Sequence, residues 1–323
     1  MPGAKQPLRI GVIGVGHLGR HHARIYSELE TCQLIGVVDI DGVRAREIAQ
    51  IYKVKAYQNY QDLFGQVDAV SIVVPTLEHY RIARDCLAAG IHVLIEKPMT
   101  RTLQEANELI DLAAAKKLIL QVGHLERFNP AVQALHRLVE DPKFIESYRI
   151  SHFPDRSTDI DVIMDLMIHD IDIILSLVPS AVKHIQAVGI PVLTPNIDMA
   201  NVRVQFESGC VANMTASRVS LKQERKLRIF QKERYLSLDY QAQELILAEL
   251  KYPKALSTYE KSALDRPEIA VRKVEITKGE PLRMELESFV ECITHKKKPL
   301  VSGEAGRRAL EVAVEILESI KNA

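Results

Sequence analysis

Short apolar runs alternate with amphipathic segments over residues 1–123. The runs have the length and composition of parallel strands that are covered on both faces, and the segments between them have helical spacing. Strands are predicted at 8–13, 33–40, 55–57, 68–74, 91–95 and 118–122. Helices are predicted at 18–29, 42–52, 77–89 and 103–116, with a short one at 58–64. This rhythm predicts a doubly wound parallel sheet of the Rossmann type.

After Gly123 the pattern changes to strands in which apolar and polar residues alternate, as they do around Val202 and Val204. Such alternation is typical of a sheet with one covered face. Strands are predicted at 144–152, 182–190, 199–206, 210–217, 225–231, 234–240, 243–250 and 271–277. Helices are predicted from 124 to about 139 and at 161–176, 283–294 and 303–321, and 252–272 is interpreted as a long excursion.

The chain is therefore predicted to be an α/β protein of two domains. Residues 1–123 form the parallel sheet, and residues 124–323 form an α+β domain with a large, mostly antiparallel open sheet. A length of 323 residues is sufficient for two such cores.

A glycine-rich turn follows the first predicted strand and opens a helix. Gly14 permits the tight turn, Gly16 lets a pyrophosphate approach the backbone, and Gly19 lets the helix pack on the strand. Asp39 ends the second strand, where a carboxylate accepts hydrogen bonds from ribose hydroxyls and repels a 2′-phosphate. The motif predicts NAD as cofactor, with turn contacts from Gly14, Gly16, His17, Leu18 and Gly19. A purely structural glycine turn is the alternative.

Two charged residues, Glu96 and Lys97, end the apolar strand 91–95, and Pro98 stops it. Ligands bind at this edge of α/β sheets, so both residues are expected to meet the cofactor; a cis Lys97–Pro98 bond would fix the direction of the lysine. The end of strand 68–74 should line the same crevice through Pro75, Thr76 and His79. The alternatives are a surface Glu–Lys pair and, for His79, a helix cap or a surface position.

The predicted helix 161–176 is apolar but has one largely acidic face, on which Asp161, Asp165, His169 and Asp172 lie. Asp165 lies one turn before His169 and could orient its ring, an arrangement that general bases use. A structural polar seam against the next domain is one alternative and a metal site another. A single histidine without an HxH or CxxC partner argues against zinc, so no metal is predicted.

Composition narrows the possible partners. Lysine plus arginine equal aspartate plus glutamate, 42 of each, so the balance of charge favours neither nucleic acid nor membrane. The four cysteines are far apart in sequence, as suits a reducing compartment, and no signal peptide is expected from the short, polar N-terminal segment. A cytoplasmic location is therefore expected.

Three motifs together, Gly14-x-Gly16-x-x-Gly19, Glu96-Lys97-Pro98 and Asp165-x-x-x-His169, resemble those of the glucose–fructose oxidoreductase/inositol dehydrogenase (Gfo/Idh/MocA) family. The resemblance covers nearly the whole chain. It implies a Rossmann domain followed by an open-sheet domain through which a homodimer or homotetramer forms. It also implies that Lys97 lies between nicotinamide and substrate and that Asp165 and His169 serve proton transfer. Whether His169 or Lys97 is the base stays open.

Residues 123–132 and 165–172 are similar to the branch of this family that oxidises the 3-hydroxyl of UDP-N-acetylglucosamine or its uronic acid. A nucleotide-sugar substrate is therefore expected, held by Lys97, Arg127, Asn129, Arg156 and His169. For Arg156 a surface salt bridge is the alternative. Two other functions stay open: a dehydrogenase of a free sugar, inositol or polyol, and a non-catalytic NAD-binding regulator, which would lack Lys97 or His169.

Overall fold

The computed structural model describes residues 7–153, 160–251 and 268–322. The chain divides into two compact units. The first contains the described parts of Met1–Phe128 together with Glu280–Glu311, and the second contains Asn129–Gly279 and Val312–Ala323. The chain thus returns to the first unit near its C-terminal end. Among the described residues, none of the helices is long and apolar enough to cross a membrane.

The first unit contains a six-stranded sheet in which every neighbouring pair is parallel. Its strands are β1 (Leu8–Ile13), β2 (Cys32–Val38), β3 (Lys55–Tyr57), β4 (Ala69–Ile72), β5 (His92–Glu96) and β6 (Leu120–Gly123). Their order is β3-β2-β1-β4-β5-β6, so the direction of winding reverses between β1 and β4. The predicted parallel Rossmann sheet is confirmed.

Four helices connect these strands: α1 (Gly19–Glu28), α2 (Gly42–Tyr52), α3 (Thr76–Ala88) and α4 (Leu103–Lys116). Local capping decides where two of them begin. The side chain of Asp41 accepts the N–H groups of Val43 and Arg44 at the start of α2. Thr102 and Glu105 form a capping box at the start of α4. Each cap satisfies N–H groups that a helix leaves unpaired at its N-terminus.

The second unit contains an eight-stranded sheet with the order β14-β13-β12-β11-β7-β10-β9-β8. Its strands are β7 (Pro142–Ile150), β8 (Val182–Ile190), β9 (Met199–Phe206), β10 (Val211–Ser217), β11 (Glu224–Gln231), β12 (Arg234–Asp239), β13 (Glu244–Lys251) and β14 (Glu268–Lys273). Neighbours are antiparallel except β7 and β10, which are parallel. The predicted mostly antiparallel open sheet is confirmed.

The sequence-based placement of β14 is wrong. The sequence pattern predicts an excursion over 252–272 and a strand at 271–277, whereas the strand is Glu268–Lys273. Most of its side chains are exposed because it lies at the edge of the sheet, so it lacks the apolar alternation that reveals a half-buried strand. The rest of the predicted excursion, 252–267, lies outside the described residues.

Helices α5 (Pro130–His136) and α6 (Ile168–Leu177) pack on the sheet of the second unit. Neither matches the regular helix that the sequence predicts. Residues Leu125–Phe128 form a separate 3₁₀ turn, since Asn129 caps a new helix with Pro130 in its first turn. A π-helical turn, Ile163–Met167, precedes α6 and interrupts the predicted helix 161–176.

Two further helices, α7 (Pro281–His295) and α8 (Gly303–Lys321), complete the fold. Leu286, Phe289 and Val290 of α7 are buried in the same core as residues of β1, β2 and α1. This packing accounts for the return of the chain to the first unit. The division between the units falls inside α8.

Candidate functional site

The glycine turn between β1 and α1 is shaped by close backbone contact. Gly14 has a φ of +85°, and a Cβ atom there would lie 2.3 Å from the carbonyl oxygen of Val73. A Cβ on Gly19 would lie 1.8 Å from the oxygen of Gly14. Gly16 differs, because a Cβ there would meet no protein atom within 4 Å. The first and third glycines therefore serve the turn, and Gly16 leaves open space of the kind that a pyrophosphate needs.

Asp39 is fixed at the carboxyl end of β2. Its Oδ2 accepts the N–H of Val15 at 3.0 Å, and its Oδ1 accepts the N–H of Asp41 at 3.0 Å. Asp39 lines a cavity of about 580 Å³ whose wall also includes Gly14, Gly16 and Pro75. A rigid carboxylate beside an open glycine turn fits the adenosine ribose and pyrophosphate of NAD.

Arg44 is a residue of this cavity that the sequence reasoning missed. It lies on α2, and its Nη1 is 3.4 Å from both carboxylate oxygens of Asp39. The sequence signal that could have revealed Arg44 is its position in the first turn of the helix that follows Asp39. An arginine at such a position can turn back toward the end of the strand.

Glu96, the last residue of β5, is buried, and Lys97 in the turn that follows is half-buried. The Lys97–Pro98 bond is cis, as the sequence suggested. Glu96 packs against Gly123, where a Cβ would lie 2.9 Å from Oε2 of Glu96. Burial raises the pKa of Glu96, but His22, Lys97 and His79 outweigh burial and hold the pKa below its usual value. Glu96 is therefore an ionised group next to Lys97.

His79 is buried between two strand ends. Its Nδ1 lies 2.9 Å from the carbonyl oxygen of Pro98, and its Nε2 lies 2.9 Å from that of Val74. Burial lowers the pKa of His79, while these carbonyl groups and Glu96 act in the opposite direction. Because both ring nitrogens face carbonyl oxygens of the protein, His79 joins the end of β4 to the lysine-bearing turn.

The remaining residues predicted for the cofactor surround the same edge of the sheet. His17 and Leu18 are exposed in the turn before α1, and Pro75 and Thr76 lie at the start of α3. The carboxyl ends of parallel strands share one edge of a sheet. The first unit therefore brings together the glycine turn, Asp39, the start of α3 and Lys97.

The residues predicted to bind the sugar or the diphosphate differ in their positions and contacts. Arg127 is half-buried on the 3₁₀ turn Leu125–Phe128, which packs on α7. Asn129 is buried, its Oδ1 accepts the N–H of Ala131, and its Nδ2 donates to the carbonyl of Tyr240 at 3.0 Å. Asn129 therefore serves as a helix cap and a cross-link within the second unit. Arg156 lies outside the described residues.

The second unit carries Asp165 on the π-helical turn and His169 on α6, both half-buried. The other acidic residues of the predicted face are used differently. Asp161 accepts the N–H of Met164 at 2.9 Å and so caps the turn, and Asp172 is buried. A π-helical turn contains more residues than an α-helical one, so the α-helical spacing assumed for this face does not hold through it.

A buried ion pair holds the segment next to His169. Nε of Arg149 on β7 donates to Oδ2 of Asp170 at 2.7 Å, and its Nη2 donates to Oδ1 at 3.2 Å. The guanidinium group also lies 4.9 Å from the ring centre of Tyr240. A two-point contact of this kind fixes orientation as well as distance. Arg149 thereby anchors the first turn of α6 to the sheet of the second unit.

Within 7–153, 160–251 and 268–322, no group of three or more histidine, cysteine, aspartate or glutamate side chains could hold a metal ion.

The parallel sheet, the glycine turn and the carboxylate after β2 define the first unit as an NAD-binding Rossmann domain, joined to an α+β domain as in many oxidoreductases. Comparison with known protein families supports this assignment of the two domains. Residues 8–124 match the model of the oxidoreductase family with an NAD-binding Rossmann fold, and residues 132–236 match the GFO/IDH/MocA C-terminal domain. The chain belongs to the Gfo/Idh/MocA family of oxidoreductases.

Relatives extend over almost the whole chain. UDP-N-acetylglucosamine 3-dehydrogenase of Acidithiobacillus ferrooxidans is 38% identical over 315 residues, which cover 97% of each chain. A solved structure of that enzyme has a TM-score of 0.89, with 98% of each chain covered at 37% identity. Myo-inositol 2-dehydrogenase of Thermotoga maritima is 25% identical, and the match covers 97% of this chain and 96% of the relative.

Proposed function

We propose that this protein oxidises the C3 hydroxyl of UDP-N-acetylglucosamine, or of its uronic acid, to a ketone with NAD as the hydride acceptor. The observation that carries the proposal is 38% identity, over 97% of both chains, to an enzyme named for that reaction. The presence of Lys97, Asp165 and His169, to which the family resemblance assigns catalysis, supports an enzyme and argues against a non-catalytic regulator.

The proposed chemistry assigns a separate task to each side chain. When bound, NAD accepts the hydride from the sugar carbon. His169 takes the proton of the hydroxyl at that carbon, and Asp165 orients the imidazole ring and stabilises its positive charge. The ammonium group of Lys97 donates a hydrogen bond to the same sugar oxygen, where negative charge develops. Lys97 as the base is the alternative within this scheme.

For the diphosphate of the substrate, the proposal relies on arginine. A guanidinium group donates two parallel hydrogen bonds to phosphate oxygens, which suits Arg127 and Arg156. Asn129 is omitted because its amide already caps α5 and binds Tyr240. Contacts with the distant nucleotide would help position the C3 hydrogen, so removing the nucleotide should lower the catalytic rate as well as the affinity.

The decisive assay measures NADH formation with the UDP sugar, its uronic acid, free N-acetylglucosamine and myo-inositol in parallel. Single-turnover absorbance is recorded together with steady-state rates, so that NADH retained on the enzyme is also detected. Product is reduced with borodeuteride and examined by mass spectrometry for a 3-keto group. Turnover of the UDP sugar alone supports the proposal. Rapid turnover of myo-inositol or the free sugar without the UDP sugar contradicts it and favours a polyol dehydrogenase like the Thermotoga maritima relative.

We also propose that the protein assembles as a homodimer or homotetramer through the C-terminal sheet. A row of aromatic rings crosses three strands of that sheet: the ring centres of Phe144 and Phe230 are 5.8 Å apart, and those of Phe230 and Tyr235 are 5.0 Å apart. Phe230 is 38% exposed within one chain, and covering it would bury apolar surface. Light scattering should report a smaller species for Phe230→Glu but not for Leu221→Glu, an exposed residue outside the strands. An unchanged mass for Phe230→Glu would argue against this interface.

A further inference from the structure

Arg44 occupies an unusual position in the cofactor cavity. Its Nη1 lies 3.4 Å from each oxygen of Asp39, and its Nη2 lies 3.3 Å from Oδ2 of Asp41. The side chain of Arg44 is 47% exposed, whereas that of Asp39 is 6% exposed. A solvent-accessible guanidinium group is thus held against the carboxylate expected to bind the ribose.

The carboxylate of Asp39 has a fixed position because backbone N–H groups of Val15 and Asp41 bind it from two sides. Arg44 is attached by weaker contacts and through a flexible side chain. Asp39 therefore performs two tasks: it presents oxygen atoms toward the ribose, and it compensates the charge of Arg44 together with Asp41.

A 2′-phosphate on the ribose would enter next to these three side chains. Asp39 and Asp41 repel it, and a nearby arginine is the group that commonly accommodates such a phosphate in NADP enzymes. In this protein that arginine is present but is paired with the two carboxylates. The other arginine of the cavity, Arg81, is tied to Glu78 at 3.1 Å and to the hydroxyl of Tyr60 at 3.1 Å. Arg44 is therefore the better-placed cation.

We propose that Arg44 is a latent 2′-phosphate ligand and that Asp39 selects NAD largely by keeping Arg44 engaged. Removal of the Asp39 carboxylate frees a preplaced guanidinium group for NADP. Simple repulsion by Asp39 predicts something different, since Arg44 would then be irrelevant to NADP binding. The two explanations separate when both residues are changed together.

The experiment measures dissociation constants of NAD and NADP by isothermal titration calorimetry for the full-length protein, Asp39→Ser, Arg44→Ala and the double variant. Arg46→Ala is the matched control, because Arg46 is an exposed arginine on the same helix that does not line the cavity. Titrations at about pH 7.5 keep the 2′-phosphate largely dianionic. No substrate is required, so the result does not depend on the proposed reaction.

Asp39→Ser is expected to bind NADP at least about tenfold more tightly than the unmodified protein, the effect of one charge-assisted hydrogen bond. The double variant should lose that gain. Arg44→Ala alone should change the dissociation constants of both NADP and NAD by less than about threefold relative to Arg46→Ala, because Asp39 keeps Arg44 engaged in the unmodified protein. Higher salt should reduce the part of the NADP affinity that depends on Arg44.

The proposal fails if the double variant binds NADP as tightly as Asp39→Ser. It also fails if Arg44→Ala alone weakens NADP binding as much as the same substitution does in the Asp39→Ser background, since Asp39 would then not keep Arg44 engaged. If Asp39→Ser does not fold, Asp39→Asn, which keeps the shape of the side chain and loses its charge, takes its place with and without Arg44→Ala, and equal NADP affinities for Asp39→Asn and its double variant overturn the proposal.

Discussion

Nε2 of His22 lies 3.3 Å from Oε1 of Glu96, and both side chains are buried. His22 belongs to α1, the helix that begins after the glycine turn, and Glu96 precedes Lys97. One buried contact therefore links the pyrophosphate-binding element to the element that carries the lysine.

Replacement of Glu96 by alanine should lower the free energy of unfolding by roughly 3 kcal/mol, because it leaves His22 buried without its carboxylate partner. Glu96→Gln should retain more stability, since an amide oxygen still accepts a hydrogen bond. Urea unfolding measures both values.

The cost of Glu96→Gln should also depend on pH. The pKa of Glu96 is lower in the folded protein than its usual value of 4.5, so its ionised form stabilises the fold above about pH 4.5. That contribution is lost as the pH falls through the folded pKa. The stability difference between the protein and Glu96→Gln should therefore shrink on acidification, and a constant difference would argue against this role of the carboxylate.

Replacement by alanine should affect NAD binding at Gly16 and the stability of the fold at Gly19. Gly16→Ala places a methyl group where no protein atom lies within 4 Å, so the fold should retain its stability while NAD binding is lost to steric conflict with the pyrophosphate. Gly19→Ala forces a Cβ to within 1.8 Å of a carbonyl oxygen and should destabilise the domain itself. Thermal unfolding with and without NAD distinguishes the two. Tight NAD binding by Gly16→Ala would place the pyrophosphate elsewhere.

Lys97→Ala and His169→Ala should each reduce turnover by about 100-fold or more, because each removes a group assigned to the developing charge or the proton. Asp165→Asn should cost less than His169→Ala, since an amide can still orient the ring. NAD affinity, measured by calorimetry, should change little in all three. Near-normal turnover in Lys97→Ala or His169→Ala would remove that residue from the mechanism.

Asp170→Ala should destabilise the second unit by about 3–5 kcal/mol, because it leaves Arg149 buried without its partner. The double variant Arg149→Met/Asp170→Leu should recover much of this loss, since it removes both charges and keeps apolar volume. Denaturant unfolding of the single and double variants gives the coupling. If stability returns but activity does not, the ion pair positions the helix that carries His169; a full return of activity would limit Arg149 to a role in stability.

The amino-acid sequence alone is sufficient to predict the two sheets and the glycine turn. Periodicity and turn chemistry are local properties, and they predict the parallel strands, Gly14, Gly16, Gly19 and the position of Asp39 at the end of β2. Family resemblance contributed the expected roles of Lys97 and His169. These features need only residues that are close in sequence.

The partners of the polar residues, by contrast, depend on how the chain folds in three dimensions. Asn129 and Asp161 fit a functional pattern in the sequence, but their side chains cap local turns. Two arginines bind carboxylates: Arg44 contacts Asp39, and Arg149 contacts Asp170. A buried polar group needs a hydrogen-bond or ion-pair partner, and that partner often belongs to an element that is distant in the chain. His22 and Glu96 are an example. The return of α7 to the first unit has the same origin, because its apolar face is buried against strands far away in sequence. Neither long-range packing nor hydrogen-bond partners follow from local periodicity, so only the folded chain reveals them.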